Sequence, residues 1–216
     1  MKKLALVCGI LASVVGVSLG KMSSDEQKKT IYNCLSNNNK SACEALINNG
    51  LPSVEQCDKD TCGFAGAVYY QARRYKEAIP YYEKVIALGD NRGYGFLGLI
   101  YHNLQDYHNA KKYVEMGCNK GNGDLVQAGS CAFLGIMYHD GEGARQDYAK
   151  AAKLYKKACD MKVVSIACYM LGKLYSNGEG VRQNESIAKQ YYGKACDLGY
   201  QDGCDDYREL NQQGVR

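Results

Sequence analysis

The sequence predicts an all-α chain, a right-handed α-solenoid of helical hairpins stapled by disulfides. Three observations predict it. A Leu-Gly-x-x-Tyr segment recurs at intervals of 37 residues. Ten of the eleven cysteines stand in close pairs, and the last three pairs keep step with that interval. The chain holds only two prolines and no tryptophan, which leaves long stretches free to be helical. A fixed period of roughly 20–50 residues marks a stack in which each repeat is one supersecondary unit.

The chain opens with Lys2 and Lys3 and then runs uncharged from Leu4 to Gly20. Ser18 and Gly20 are small residues at the third and first positions before Lys21, as a signal peptidase requires. Residues 1–20 are therefore expected to be a cleaved secretory signal. The competing expectation is an uncleaved anchor, for which a run of this length is only just short. Cys8 lies in the apolar part of this segment, behind Leu6 and Val7, which are too bulky for a lipidation signal. Its loss leaves an even ten cysteines, so that no thiol need stay unpaired. Disulfides persist in a periplasm or outside a cell and are rare in cytosol, so a secreted or periplasmic protein is expected. Removing Lys2 and Lys3 lowers the net charge from +4 to +2, with both signs interleaved. That balance gives no electrostatic support to a nucleic-acid or anionic-membrane role. No second long apolar run follows, so no membrane span is expected after cleavage. Nineteen tyrosines against three phenylalanines suit a thin stack, in which most buried rings lie close enough to the surface for a hydroxyl to reach water.

The elements follow in order. Residues 21–57 are expected to form an N-terminal helical hairpin holding Cys34 and Cys43. Repeats then fill residues 58–199. Their first helices carry Ala65-Gly66-Ala67-Val68-Tyr69, Leu97-Gly98-Leu99-Ile100-Tyr101, Leu134-Gly135-Ile136-Met137-Tyr138 and Leu171-Gly172-Lys173-Leu174-Tyr175. Leu, Gly and Tyr at i, i+1 and i+4 mark one helix face, and the glycine lets a neighbouring helix come close. Each second helix shows a small residue and then a large one at i+4: Ala78 and Tyr82, Ala110 and Val114, Ala151 and Tyr155, Ala188 and Tyr192. Between the two helices the later units carry Gly141-Glu142-Gly143-Ala144 and Gly178-Glu179-Gly180-Val181, where glycine supplies positive backbone angles and stops the first helix. Asp147 and Asn184 are the expected N-caps of the helices that follow. Residues 200–216, with Cys204 and Leu210, are expected to be a last helix that covers the open end of the stack.

Leu-Gly-x-x-Tyr, then Gly-x-Gly-Val/Ala, then Ala-x-x-x-Tyr running on to Lys157-Ala158-Cys159 and Lys194-Ala195-Cys196, resembles the Sel1-like repeat, a longer relative of the tetratricopeptide repeat. With a cysteine pair in most units, the chain resembles the secreted Sel1-repeat proteins of the Helicobacter cysteine-rich protein family. The two C-terminal units match closely, and the two before them look more like short tetratricopeptide units.

Ten cysteines allow on the order of a thousand pairings, so connectivity is not fixed by number alone. In the repeat frame, Cys159 ends one unit's second helix and Cys168 lies in the next unit's first helix. A short antiparallel turn brings such positions within disulfide reach. The same reasoning pairs Cys196 with Cys204 and, over a longer loop containing Gly121 and Gly123, Cys118 with Cys131. Cys34 with Cys43 and Cys57 with Cys62 complete the expected set. At the equivalent junction one unit earlier Ile86 and Tyr94 replace both cysteines together, as members of a bonded pair would be. No Cys-x-x-Cys occurs, so neither a zinc site nor a thiol-redox centre is expected.

The family resemblance implies penicillin binding or weak β-lactamase activity as one possible chemistry. Ser186-Ile187-Ala188-Lys189 fits the Ser-x-x-Lys nucleophile and Tyr175-Ser176-Asn177 fits the second element, but Lys-Thr-Gly is missing and the order is reversed. Both fragments also occupy ordinary repeat positions, so no catalytic residue is assigned. A β-lactam or cell-wall peptide stays open as an alternative ligand. His102 and His139 are equivalent positions and His108 stands apart. No metal and no cofactor are expected. By analogy with tetratricopeptide units, Arg92, Leu99, His102, Ile136, His139, Tyr169, Lys173 and Ser176 are expected on or near a concave groove. That mixed polar, basic and aromatic set suits a protein or peptide ligand, although each residue taken singly also reads as an ordinary exposed helix position.

Overall fold

In the computed structural model the described residues are 24–121 and 123–215, and every regular element among them is a helix. The expected signal segment and Cys8 lie outside the described residues. The helices are α1 (Ser24–Leu35), α2 (Lys40–Asn48), α3 (Lys59–Gln71), α4 (Tyr75–Ala87), α5 (Arg92–Asn103), α6 (Tyr107–Lys120), α7 (Leu125–Asp140), α8 (Tyr148–Asp160), α9 (Ser165–Asn177), α10 (Glu185–Asp197) and α11 (Gln201–Gln212). They fall into two units, the first ending at Gln105 and the second beginning at Asp106. Neighbouring helices pair as the hairpins of the predicted solenoid class within each unit.

In the first unit, α1 and α2 are joined by the Cys34–Cys43 disulfide, and Asn39 caps α2 by accepting the Ala42 amide. Ile31, Leu35 and Leu46 bury their side chains against Phe64 and Val68 of α3. The Cys57–Cys62 disulfide ties the approach to α3, which starts on a capping box: the Asp58 carboxylate accepts the Asp60 and Thr61 amides, and Thr61 Oγ1 accepts the Asp58 amide. Tyr82 of α4 stacks on Phe96 of α5, ring centroids 4.6 Å apart.

In the second unit, three junctions carry disulfides: α6–α7 by Cys118–Cys131, α8–α9 by Cys159–Cys168 and α10–α11 by Cys196–Cys204. The first two of these pack with Ala132, Ala158, Ala167 and Ala195 into one buried column. Small residues are needed there because each bridge draws its two backbones to a Cα–Cα distance below 5 Å. Gln127, itself buried, holds the longer α6–α7 loop by donating to the Cys118 carbonyl at 2.8 Å and accepting the Gly123 amide at 2.7 Å.

The Gly-x-Gly loops do two separate jobs. Gly141 and Gly178 sit in the left-handed region (φ 79° and 73°) and end α7 and α9. Gly143 and Gly180 are also left-handed (φ 68° and 67°), but they lie against main chain. A Cβ on Gly143 would stand 2.5 Å from the Tyr107 carbonyl oxygen, and one on Gly180 would overlap the Tyr148 carbonyl carbon and the Ala149 nitrogen. Each loop thus rests directly on the start of the preceding repeat's second helix. The chain then turns back, the Asp147 amide donating to the Tyr138 carbonyl and the Asn184 amide to the Tyr175 carbonyl. Asp147 and Asn184 cap α8 and α10 as the sequence predicts.

Main-chain N–H groups aimed at Asp58 and Asp147, those of Thr61 and Lys150 foremost, hold both carboxyls below the usual range. A carboxyl depressed in the folded state contributes stability above the ordinary carboxylate pKa and loses it as pH falls through the folded value. Thermal midpoints are therefore expected to decline below about pH 4, and Asp147→Asn, which keeps the cap without the titration, is expected to flatten part of that decline.

Tyr155 is an exception to the expectation that most buried tyrosines reach water with their hydroxyls. Its ring lies under Gly135, whose missing side chain leaves the room: a Cβ there would stand 2.7 Å from Tyr155 Cε1. The ring is fully buried, and its hydroxyl has no hydrogen-bond partner among the described residues. Tyr192 lies under Gly172 in the same way but has the Ser176 hydroxyl to bond. The counterpart of Ser176 one repeat earlier is His139, whose ring is turned to Asp140 and Tyr148 instead. Burial pushes both phenols up, that of Tyr192 to about 12. Tyr155→Phe is accordingly expected to be neutral or to stabilise by about 1 kcal/mol, whereas Tyr192→Phe is expected to cost about 1 kcal/mol. Urea midpoints of the two variants check the difference in sign.

Candidate functional site

The candidate surface is built from the first helices of the repeats, and each unit carries its own part. In the second unit, α7 supplies Ile136 and His139, and α9 supplies Tyr169, Lys173 and Ser176. Ile136 is half-buried against the core formed by Ala151, Tyr155, Leu171 and Leu174, so its side chain contributes packing as well as surface. His139 Nδ1 lies 2.6 Å from Asp140 Oδ1, and the ring meets Tyr148 edge-on at 5.2 Å. Gln146 Nε2 donates both to the His139 carbonyl and to the Tyr148 hydroxyl, which fixes the loop around this histidine.

Tyr169 is the centre of an aromatic group. Its ring stands 5.6 Å from Tyr192 and 4.9 Å from Tyr200, and burial, with Asp206 beside it, pushes its hydroxyl up to about 12. Ser176 joins the group through its bond to Tyr192. Lys173, one turn from each on the same helix, is exposed. The structure therefore brings Tyr169 and Ser176 onto one aromatic platform, with Lys173 between them along α9.

In the first unit Arg92, Leu99 and His102 all lie on α5. Arg92 is already committed: Nε donates to Asp90 at 2.7 Å and Nη2 to Asp60 at 3.0 Å. Leu99 is half-buried, and its carbonyl accepts Asn103 Nδ2 at 2.7 Å. Asn103 Oδ1 also accepts from the Tyr75 hydroxyl. His102 is half-buried on the same helix.

Sequence reasoning missed Tyr192, Tyr200 and Asp206 around Tyr169, and it missed Tyr138, whose ring is flanked by Lys111 Nζ at 5.3 Å and Lys150 Nζ at 5.1 Å. The available signal was Tyr169 itself, which stands where the earlier repeats have Gly95 and Ala132. A large ring replacing small residues at a first-helix position must find partners on the next helices.

The fragments that fit a serine hydrolase are otherwise engaged. Lys189 Nζ donates to Asn211 Oδ1 at 2.9 Å and to the Val215 carbonyl, and lies over the Tyr207 ring. Tyr175 stacks on Tyr191 at 5.7 Å inside the repeat core. Among the described residues no three His, Cys, Asp or Glu side chains are placed to hold a metal, and no helix is long and apolar enough to cross a membrane.

The Sel1 repeat family matches residues 128–163 and 165–200, and tetratricopeptide repeat families match residues 61–93 and 92–115. The chain is a Sel1-repeat protein. The Sel1-repeat protein is similar in structure to a Sel1 repeat protein from Oxalobacter formigenes, with 21% identity over 82% of this chain and 76% of that one and a TM-score of 0.65. It is also similar to c5321, a protective antigen present in uropathogenic Escherichia coli strains, with 20% identity over 97% of this chain and 49% of that one and a TM-score of 0.57. Helicobacter pylori cysteine rich protein B is 32% identical over 62% of this chain and 94% of its own, with a TM-score of 0.49. No curated protein matched the sequence. Sel1 and tetratricopeptide repeats generally serve as scaffolds for proteins or peptides.

Proposed function

We propose that this Sel1-repeat protein acts in a periplasmic or extracellular space as a scaffold that binds a protein or peptide on the first-helix face of its repeats. The five disulfides support the compartment. The Tyr169 group carries the binding reading: a half-exposed tyrosine held by Tyr192 and Tyr200, next to an exposed lysine, presents contact area that is already ordered. Rigid tyrosines of this kind recur as anchors in binding surfaces because little side-chain entropy is lost on contact. Lys173 adds a charge that can reach a peptide carboxylate, and Ile136, at the equivalent position one repeat earlier, adds apolar surface.

The test is capture of partners from periplasmic and cell-surface extracts on the immobilised protein, repeated with Tyr169→Ala and Lys173→Glu. Each substitution is expected to weaken retention of the captured partner at least tenfold while the helical spectrum stays the same. Equal retention by both variants would sink the groove assignment. The β-lactam alternative makes the contrary prediction, nitrocefin turnover lost in Ser186→Ala. We expect no turnover in either protein, because Lys189 is held by Asn211 and the Val215 carbonyl.

A further inference from the structure

The disulfides differ in how far they are covered. The bonded cysteines of the other four bridges are buried, whereas Cys196 and Cys204 are both half-buried. The cause lies in the packing. Cys118–Cys131 and Cys159–Cys168 are enclosed in the alanine column, and Cys34–Cys43 lies in one core with Leu46 and Phe64. The column runs as far as Ala195, and Cys196 and Cys204 stand just outside it. The outward residues of α11 include Gln201, Asp202, Asp205, Arg208 and Glu209 beside the exposed ring of Tyr207, a mostly polar face that leaves the neighbouring bridge only partly covered.

Exchange with a thiol requires the attacking thiolate to approach a sulfur along the S–S axis, so an enclosed bridge reacts only after local opening. At Cys196–Cys204, where both residues are half-buried, less opening is needed. We propose that this bridge is a redox-sensitive latch that holds α11 on α10 and is the first of the five to open. A dithiol reductant attacks one of the two sulfurs as its thiolate, forming a mixed disulfide and releasing the other cysteine as a thiolate that takes up a proton. The second thiol of the reductant then displaces the remaining cysteine, leaving two protein thiols and the oxidised reductant. Asp197, Asp202 and Asp205 stand beside the bridge in the chain and favour a neutral dithiol over anionic thiols. Once the bridge is open, α11 is held by Leu210 against Ala188 and Tyr192, by Gly203 against Ala195, by Asp206 beside Tyr169, by Tyr207 against Gly193 and under Lys189, and by the Lys189 bonds to Asn211 and Val215. These contacts reach only α9 and α10 and leave the other side of α11 to solvent, so α11 opens while the enclosed bridges keep α7–α9 folded.

The experiment treats the full chain with limiting dithiothreitol in native buffer, blocks thiols with N-ethylmaleimide and maps the labelled peptides. Label is expected on Cys196 and Cys204 at least tenfold faster than on any other bonded pair. Earlier labelling of another pair, or equal rates at all five, overturns the assignment. The consequence is read separately by amide hydrogen exchange on Cys196→Ala/Cys204→Ala and on the selectively reduced, alkylated wild type. Exchange across Gln201–Gln212 is expected to rise about a hundredfold, the loop-closure effect for a ring of this size, with α7–α9 unchanged. Unchanged exchange in α11 shows that the bridge latches nothing, however quickly it is reduced.

Discussion

Gly180→Ala is expected to destabilise the second unit by about 3 kcal/mol or more, lowering its thermal midpoint by roughly 10 °C. Two separate effects add. The left-handed conformation at φ 67° costs an L-residue with a side chain about 1–2 kcal/mol. The new methyl would also meet the carbonyl carbon of Tyr148 and the nitrogen of Ala149, main-chain atoms at the start of α8 that cannot swing aside as a side chain can. Overpacking of that kind adds about 1–3 kcal/mol. Gly143→Ala repeats the experiment one hairpin earlier against Tyr107. Gly89→Ala supplies the control, because it shares a positive φ (84°) with open space around the position. It is expected to show only the conformational cost, about 1–2 kcal/mol. A Gly180→Ala loss no larger than that of Gly89→Ala would mean that the loop contact is not tight.

Complete reduction is expected to unfold the chain under otherwise native conditions. Closing a loop of the size spanned by Cys159 and Cys168, nine residues apart, contributes about 2.5–3 kcal/mol on the chain-entropy account. Five bridges of similar span therefore match in size the whole stability of an ordinary domain, about 5–15 kcal/mol. The repeat cores alone are lean. The α8–α9 junction buries alanines and cysteines where a larger protein would bury leucine or phenylalanine. Circular dichroism in excess phosphine should show loss of helix, with recovery on reoxidation. Cys159→Ala/Cys168→Ala should lower the urea midpoint of the second unit by an amount worth about 3 kcal/mol while leaving the other four bridges formed. Retention of full helicity after verified reduction of all the cysteines would contradict this account.

The hairpin repeat was legible in the sequence because it is written twice, once in apolar spacing and once in cysteine spacing. The two agree wherever Leu134-Gly135 and Leu171-Gly172 stand 37 residues apart with Cys131 and Cys168 keeping the same step. The caps Asp147 and Asn184 were legible for a local reason: a short polar side chain before an amphipathic run can bond the free amides of the first turn. The surface was harder to read. Arg92 has the composition of a ligand-binding residue, but Asp60 lies 32 positions upstream and only the folded α3 brings it within 3.0 Å. The partners of Tyr169 come from Tyr192 and Tyr200, on and beyond the next helix, so no window along α9 could disclose them. The unpaired Tyr155 hydroxyl escaped for a similar reason, since its fate depends on whether position 139 or its counterpart 176 carries an imidazole or a hydroxyl.

Gly143 and Gly180 place the peptide backbone of one hairpin on that of the hairpin before it. Spacing along the second unit is consequently set by atoms that every amino acid shares, in the manner of a ruler graduated in main chain. First-helix side chains can then differ between repeats, with Lys173 where the preceding repeat has Ile136 and Ser176 where it has His139, while the same main-chain contact recurs at Gly143 and Gly180. The frame and the tiles mounted on it are thereby specified by different atoms.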